Sequence, residues 1–145
     1  MFKRILYVVI TASCLLSTQC DEDIIAEHNT ECANSAVVDA TWYERVTTEN
    51  YAIDTVEIFG NCLDVTITAS GCDSNLWEFT LVDSGAVAES SPEQRYLKLS
   101  LKNQGVCSAF FEKRMSFDIS TLQLSASGTI ILNLKGFSDT INYTY

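Results

Sequence analysis

The chain has 145 residues, of which 9 are basic and 19 acidic, so its formal net charge is −10 at pH 7. This acidity argues against binding to nucleic acid, whose phosphates require a footprint of Lys and Arg. It also argues against attachment to anionic lipid head groups through a basic patch. The length suffices for one domain and is too short for two.

The first segment of the chain has the order of an export signal. Lys3 and Arg4 precede an apolar run over residues 5–16, and that run is shorter than the ~20 residues a membrane-spanning helix needs. A short polar stretch then leads to Cys20, which residues 21–23 (DED) follow directly. This arrangement resembles a bacterial lipoprotein signal, and the acidic run resembles the Bacteroidetes type.

The resemblance implies a signal peptide over residues 1–19 and acyl chains, palmitate among them, on Cys20. It also implies attachment to the outer membrane with display at the cell surface. Cys14 is the competing lipidation site because residues 11–13 are small, but cleavage there leaves five further cysteines, whereas cleavage before Cys20 leaves four. An oxidising compartment favours the even number. A secretory signal without a lipid is the other alternative.

The mature chain divides into a tether and a domain. Without its signal it keeps 126 residues and, since Lys3 and Arg4 are lost, a net charge of −12. Residues 20–35 are interpreted as an acidic tether and residues 36–145 as a single β domain. The tether contains His28, the only histidine. A mobile segment cannot hold a histidine beside a nucleophile, so His28 is expected to be solvated.

Apolar and polar residues alternate with period two through most of the domain, as they do in strands with one buried face. In residues 97–102 (LKLSLK), for example, leucine takes every second position. Residues 109–114 are interpreted as a turn or two of helix, and the predicted strands cover residues 37–45, 51–59, 63–68, 77–82, 96–101, 115–119, 129–134 and 140–145. The pattern predicts an all-β fold, an antiparallel β-sandwich of Ig-like architecture with about seven to nine strands. A small barrel is the alternative.

The four remaining cysteines allow three disulfide pairings. If the two central predicted strands pair with Leu81 opposite Leu97, Cys72 falls beside Cys107. Cys62 lies ~30 Å from Cys72 if the run between them is extended, and a disulfide needs Cα atoms within about 7 Å. A metal site is disfavoured because no Cys-x-x-Cys pair occurs. We therefore predict the disulfides Cys32–Cys62 and Cys72–Cys107.

Catalytic patterns are missing from the sequence. It has no nucleophile elbow, phosphate loop or calcium loop, so we predict neither a cofactor nor a metal. Two carboxylate pairs, Asp54 with Glu57 and Glu78 with Asp83, are candidates for acid–base chemistry. Alternation places most of them on solvent faces, and Glu78 is expected to pair with a lysine of the neighbouring strand. The chain is therefore predicted not to be an enzyme.

Three further surface features are candidates for modification or binding. Thr55 and Thr140 resemble the Asp-Ser/Thr-apolar sites that Bacteroidetes-type exported proteins O-glycosylate. Residues 84–95 form the longest predicted connection and are a candidate binding loop. The aromatic residues exceed what one inner face needs, and Tyr and Trp favour binding surfaces; the candidates are Trp42, Tyr43, Tyr51, Tyr96, Phe110, Phe111, Phe137, Tyr143 and Tyr145.

Together these features predict an envelope lipoprotein that acts as a non-catalytic binding or interaction module for an unidentified protein or glycan. Its partners are the membrane, through the acyl chains on Cys20, and that ligand. The alternative is an inhibitor of a basic hydrolase, such as a lysozyme or a protease, because opposite charge speeds encounter. An enzyme is the third and weakest hypothesis.

Overall fold

A computed structural model describes residues 31–124 and 126–145. Cys14, Cys20 and His28 lie outside the described residues. Within them the chain forms nine strands, one α-helix and two 3-10 turns, at Ser74–Leu76 and Ser120–Leu122. The elements are β1 (Asn34–Ser35), β2 (Val37–Val38), α1 (Ala40–Arg45), β3 (Ala52–Phe59), β4 (Cys62–Gly71), β5 (Glu78–Ala88), β6 (Glu93–Lys102), β7 (Ala109–Asp118), β8 (Thr129–Leu134) and β9 (Ile141–Thr144). No helix in this part of the chain is long and apolar enough to cross a membrane.

The strands form two sheets, a four-stranded sheet in the order β1-β7-β4-β3 and a five-stranded sheet in the order β2-β5-β6-β8-β9. The predicted all-β sandwich is confirmed, and the sheets do not close into a single barrel. The sheets are mixed, however, because β1–β7, β2–β5 and β6–β8 are parallel pairs. Alternation reports which side of a strand is buried, and it carries no information on the direction of the neighbour.

The core lies between the inner faces of the two sheets. On β4, for example, Leu63, Val65 and Ile67 are fully buried. The largest members of the core from the other strands are Phe117, Leu81, Leu97, Leu99, Ile130, Leu132 and Tyr143. Since full burial of each such side chain contributes about 1.5–3 kcal/mol, the alternating apolar positions provide most of the driving force for this fold.

The register of the β5–β6 hairpin differs from the prediction by two residues. Leu81 lies opposite Leu99, where the sequence placed Leu97. A shift of two residues keeps every side chain on the same face, so alternation alone cannot detect it. The hairpin also contains a bulge between Asp83 and Val87, where Gly85 adopts a φ of +76°.

Three further predictions of local structure are wrong. The expected long loop over residues 84–95 belongs largely to β5 and β6, which leaves residues 89–92 as the connection. Residues 40–45 form α1 instead of a strand, and the Asp39 carboxylate caps this helix by accepting a hydrogen bond from Trp42 N at 2.8 Å. Residues 109–114 are the first part of β7, whose ten residues all pair with β4; this long-range ladder outweighs the local helical preference.

The segment from residue 34 to residue 38 passes from one sheet to the other. β1 pairs with β7, β2 pairs with β5, and Ala36 between them is buried. The Ala36 N–H donates to the Asp118 carbonyl at 2.8 Å. The four-stranded sheet therefore begins at Asn34, two residues before the predicted domain boundary, and the entering chain covers one open side of the sandwich.

Candidate binding groove

The two disulfides mark opposite ends of the sandwich. One joins Cys32 to Cys62 at the start of β4, and the other joins Cys72 to Cys107 just beyond the end of β4. They are the two pairs that strand spacing favoured, with Cα atoms 5.5 Å and 4.9 Å apart. The ten residues of β4 set the bridges ~30 Å apart, at about 3.3 Å per residue.

A groove of about 570 Å³ opens at the Cys72–Cys107 end of the sandwich. Three segments form it: residues 49–52 at the start of β3, residues 68–70 at the end of β4, and residues 103–110 around the second disulfide. Its volume lies within the ~300–1,000 Å³ range of ligand pockets. It is an open groove at the surface, a form suited to a protruding part of a partner.

The groove presents apolar side chains to solvent. Val106 is fully exposed and Phe110 is 75 % exposed. Single exposed apolar residues are ordinary, but two large ones that line the same groove are the kind of exposed apolar surface that marks interaction sites.

Side-chain hydrogen bonds hold the loop that carries Val106. Asn103 Nδ2 donates to the Ser70 carbonyl at 2.6 Å, and Asn103 Oδ1 accepts from Gly105 N at 3.0 Å. A Cβ atom added to Gly105 would stand 2.8 Å from Cys72 Sγ, so only glycine lets the chain pass this close to the disulfide. Val106 is therefore presented from a loop that is fixed at both ends.

The opposite wall of the groove is tied to the five-stranded sheet. The Tyr51 hydroxyl donates to the Leu99 carbonyl at 2.6 Å, and Asn50 Nδ2 donates to the Leu101 carbonyl at 3.2 Å. Burial raises the pKa of Tyr51 to about 12, against a smaller lowering by its hydrogen bond to the backbone. Tyr51 therefore stays a neutral donor at physiological pH, and the groove is preorganised on both sides.

The groove has little charge of its own. Among its described lining residues Glu49 is the only Asp, Glu, Lys, Arg or His. The remaining polar groups are amides, hydroxyls and backbone. Such a surface suits the burial of an apolar side chain beside a few hydrogen bonds.

The candidate acid–base carboxylates have separate structural partners. Asp54 Oδ2 accepts from Thr68 at 2.8 Å, and Glu57 pairs with Arg114 at 3.4 Å. Glu78 pairs with Lys102 at 3.0 Å across β5–β6, which is the expected pairing with a lysine of the neighbouring strand. No group of three or more metal-ligating side chains occurs among residues 31–124 and 126–145.

Asp83 has a role that the sequence analysis missed. It is fully buried and pairs with Arg95 at 2.9 Å, while its Oδ1 also accepts from Gly85 N at 2.7 Å. Burial raises the pKa of Asp83, and the Gly85 N–H and Arg95 partly offset that rise. The alternation in the sequence could have identified this pair. Asp83 is two residues after the inward-facing Leu81, and Arg95 is two residues before the inward-facing Leu97, so both are placed on the buried face.

Acidic side chains concentrate on the outer face of the four-stranded sheet. We define the acidic face as Asp54, Glu57, Asp64 and Glu112 together with the single cation Arg114. Arg114 bridges Asp64 at 2.7 Å and Glu57 at 3.4 Å. The face keeps an excess of negative charge over β3, β4 and β7.

The predicted aromatic candidates separate into groups. Tyr51 and Phe110 line the groove, and Phe111 packs edge-on against Trp77 at 6.0 Å. Tyr143 is part of the core, with Tyr145 at 5.0 Å. The others lie in α1 (Trp42 and Tyr43), on β6 (Tyr96) and in the connection between β8 and β9 (Phe137).

The two candidate O-glycosylation residues are exposed. Thr55 lies on β3, the edge strand of the four-stranded sheet, and Thr140 immediately precedes β9. This exposure is compatible with modification. O-glycosylation of Thr55 and Thr140 stays a prediction.

No protein-family profile and no curated protein matches the sequence. Two solved structures are similar in fold. A protein of unknown function, DUF1344, from Bacteroides vulgatus has a TM-score of 0.53 and 14% identity, over 77% of this chain and 56% of that one. A NigD-like immunity protein from Bacteroides caccae has a TM-score of 0.55 and 9% identity, over 77% of this chain and 64% of that one. The chain thus spans less than two thirds of either protein, and at these identities the likeness shows the fold alone.

Proposed function

We propose that this chain is a non-catalytic binding module, attached to the outer membrane by acyl chains on Cys20, which binds a protein partner at the cell surface. The proposal rests mainly on one observation. The exposed groove with Val106 and Phe110 lies at the end of the sandwich opposite the Cys32–Cys62 disulfide.

The positions of Cys20 and Cys32 indicate which end of the domain lies nearer the membrane. Cys32 follows Cys20 by twelve residues and is covalently held at the start of β4. A lipid on Cys20 would therefore put the Cys32 end of the domain nearer the membrane. The groove would lie ~30 Å farther out, at the far end of β4, where a partner has free access.

The chemistry of the groove favours a protein as the partner. Val106 and Phe110 offer aliphatic and aromatic surface, while Glu49 supplies one carboxylate at the edge. A protruding apolar side chain flanked by Lys or Arg on the partner matches this pattern. A glycan would leave Val106 without a complementary group, so it is the less suitable ligand here.

The partners of the candidate carboxylates support a non-catalytic role. Asp54, Glu57, Glu78 and Asp83 are each engaged by a hydroxyl or a cation of the fold. These contacts give each carboxylate a structural purpose. They do not provide a nucleophile with an oriented base, which covalent catalysis requires.

A capture experiment with the full chain tests the groove. We expect the wild-type protein, solubilised in mild detergent, to retain a specific partner from a cell-envelope extract. Val106→Asp with Phe110→Ser should lose that partner, because a charge replaces apolar contact area. The matched control is Val38→Asp, since Val38 is a 48 %-exposed apolar residue on β2, outside the groove. Equal retention by the groove variant and the wild type would refute the proposed site.

A second candidate function is inhibition of, or immunity to, a basic hydrolase. It is favoured by the fold likeness to a NigD-like immunity protein, by the mature net charge of −12 and by the acidic face. Opposite charges accelerate association in a salt-dependent way. Three results would favour this function over a binding module that uses the groove. The captured protein is a hydrolase whose activity is lost on binding, its capture is lost at high salt, and its capture is lost in the double variant Glu57→Lys with Glu112→Lys.

A further inference from the structure

A second cleft lies on the outer face of the five-stranded sheet and encloses about 350 Å³. We define the tyrosine cleft by Tyr43 of α1, Tyr96 of β6, Asn133 of β8, and residues 135–140 between β8 and β9. We propose that the tyrosine cleft binds one or two rings of a neutral saccharide. This site is separate from the groove and does not depend on the proposed function.

Tyr96 supplies the aromatic surface that the proposal needs. It lies on the outer face of β6 opposite Asn133 of β8 and is 38 % exposed. The flat C–H face of a sugar ring packs on an aromatic ring, while its hydroxyls bond to groups at the edge. The strand fixes the backbone of Tyr96 without a ligand, so binding costs only the ordering entropy of its side chain.

Tyr43 is fixed as a wall of the tyrosine cleft. Lys98 Nζ donates to the Tyr43 carbonyl at 2.9 Å and lies 4.3 Å from the centroid of the Tyr43 ring. Burial raises the pKa of the Tyr43 hydroxyl, and the negative charges of Glu44 and Asp83 raise it further. The phenol therefore remains a neutral group that can donate to a sugar hydroxyl.

Asn133 offers an acceptor to the tyrosine cleft. Its Nδ2 donates to Gln94 Oε1 at 3.1 Å and to the Arg95 carbonyl at 3.2 Å. Both amide hydrogens are used in this way, so the carboxamide oxygen is the group left for a ligand donor. The same contacts prevent the amide from rotating.

The connection between β8 and β9 completes the site. Lys135 N donates to the Leu97 carbonyl and Phe137 N to the Leu134 carbonyl, so the loop is tied to the sheet. Its lining contains Lys135 and Asp139, one cation and one anion, and the hydroxyl of Ser138, which donates to Asp139 Oδ1 at 3.3 Å. Charges of both signs that cancel, with several hydroxyl and amide groups, match a neutral polyhydroxyl ligand better than an ion.

The test is a titration of the full chain in detergent with maltose, cellobiose, mannobiose and chitobiose, followed by ligand-observed NMR. We expect saturable binding of at least one of the four in the millimolar range. Tyr96→Ala should weaken it by about two- to tenfold, as expected for loss of an aromatic stacking contact, and Asp139→Asn should weaken it without affecting folding. Phe110→Ala is the control, because Phe110 lies in the groove, and it should bind as the wild type does.

Each contrary result overturns the inference. Lack of saturable binding by all four sugars would exclude the neutral saccharide, as would a preference for glucuronate over them. Binding that Phe110→Ala weakens and Tyr96→Ala does not would move the ligand to the groove. A thermal unfolding curve of each variant separates loss of binding from loss of fold.

Discussion

Cys62 and Cys72 stand at opposite ends of β4, and each is bonded to a different segment of the chain. Cys62 fixes the entering segment at one end, whereas Cys72 fixes the loop of Val106 at the other. A single strand therefore connects the Cys32–Cys62 end of the domain to the groove. Because the two disulfides hold different segments, the effect of each on stability and binding can be tested separately.

Removal of the bridge beside the groove should reduce both stability and capture. Closing a loop over the 35-residue separation between Cys72 and Cys107 contributes roughly 3–4 kcal/mol in the loop-entropy account. Cys72→Ala with Cys107→Ala should lose about that much in urea unfolding and should also lose the partner. Cys32→Ala with Cys62→Ala should cost a similar amount yet retain the partner. Retention by the first variant would show that the loop does not need its bridge.

The buried pair Asp83–Arg95 should matter far more than the exposed pair Glu78–Lys102. Asp83→Ala leaves the Arg95 charge buried without its partner, which costs about 3–5 kcal/mol. Glu78→Ala, in a pair exposed on both sides, should change the free energy of unfolding by less than about 1 kcal/mol. Chemical denaturation of both variants measures the difference. Equal effects would contradict the burial of Asp83.

Tyr51 should make the domain sensitive to alkali. Its pKa is raised to about 12 in the folded chain from about 10 in the unfolded chain. The contribution of Tyr51 to the free energy of unfolding is complete below pH 10 and is lost as pH rises towards 12. Between these pH values the unfolded chain releases the phenol proton while the folded chain still holds it. Absorbance titration should show that one tyrosine hydroxyl of the wild type ionises near pH 12. Tyr51→Phe should lack this ionisation. A normal titration of that phenol would contradict its burial.

Deletion of residues 140–145 should expose the core. This change removes Ile141 and Tyr143, both buried, and leaves the edge of β8 without β9. Unpaired edges template aggregation, so the truncated chain is expected to aggregate, as light scattering and size-exclusion chromatography would show. A soluble truncated chain that unfolds cooperatively would argue against a structural role for β9.

The sequence predicts the sandwich well where burial alone decides. Leu63, Val65 and Ile67 point inward as their alternation requires. The pairing of Cys72 with Cys107 was predictable because the length of the strand keeps Cys72 away from Cys62. Features that depend on longer-range pairing were not predictable in this way. The register of Leu81 is one example, since a shift of two residues preserves its face.

The groove and the tyrosine cleft were predictable only as a list of aromatic residues. Tyr51 and Phe110 are far apart in sequence, and nothing local shows that they line the same groove. The sequence pattern predicts a strand over the residues that form α1, so it does not predict that Tyr43 lies beside Tyr96. Local alternation identifies faces, whereas a site needs the topology that brings distant segments together.

Replacement of the proposed lipidation site tests the attachment of the module. Cys20→Ala should move the protein from the membrane fraction to the soluble fraction and remove the acyl mass from the intact protein. The control is Cys14→Ala, which should leave both properties unchanged. Continued membrane fractionation of the Cys20 variant would contradict attachment at that residue.

The central claim, that a protein partner binds the groove at the end away from Cys32, is tested most directly by site-specific photocrosslinking in living cells. A photoreactive amino acid is placed in the full chain at Val106, in the groove, or at Thr121, an exposed residue that follows β7 near the Cys32–Cys62 end. The account predicts one discrete crosslinked protein from position 106 and none of that mass from position 121. The same product from position 121, or no product from position 106, would contradict it.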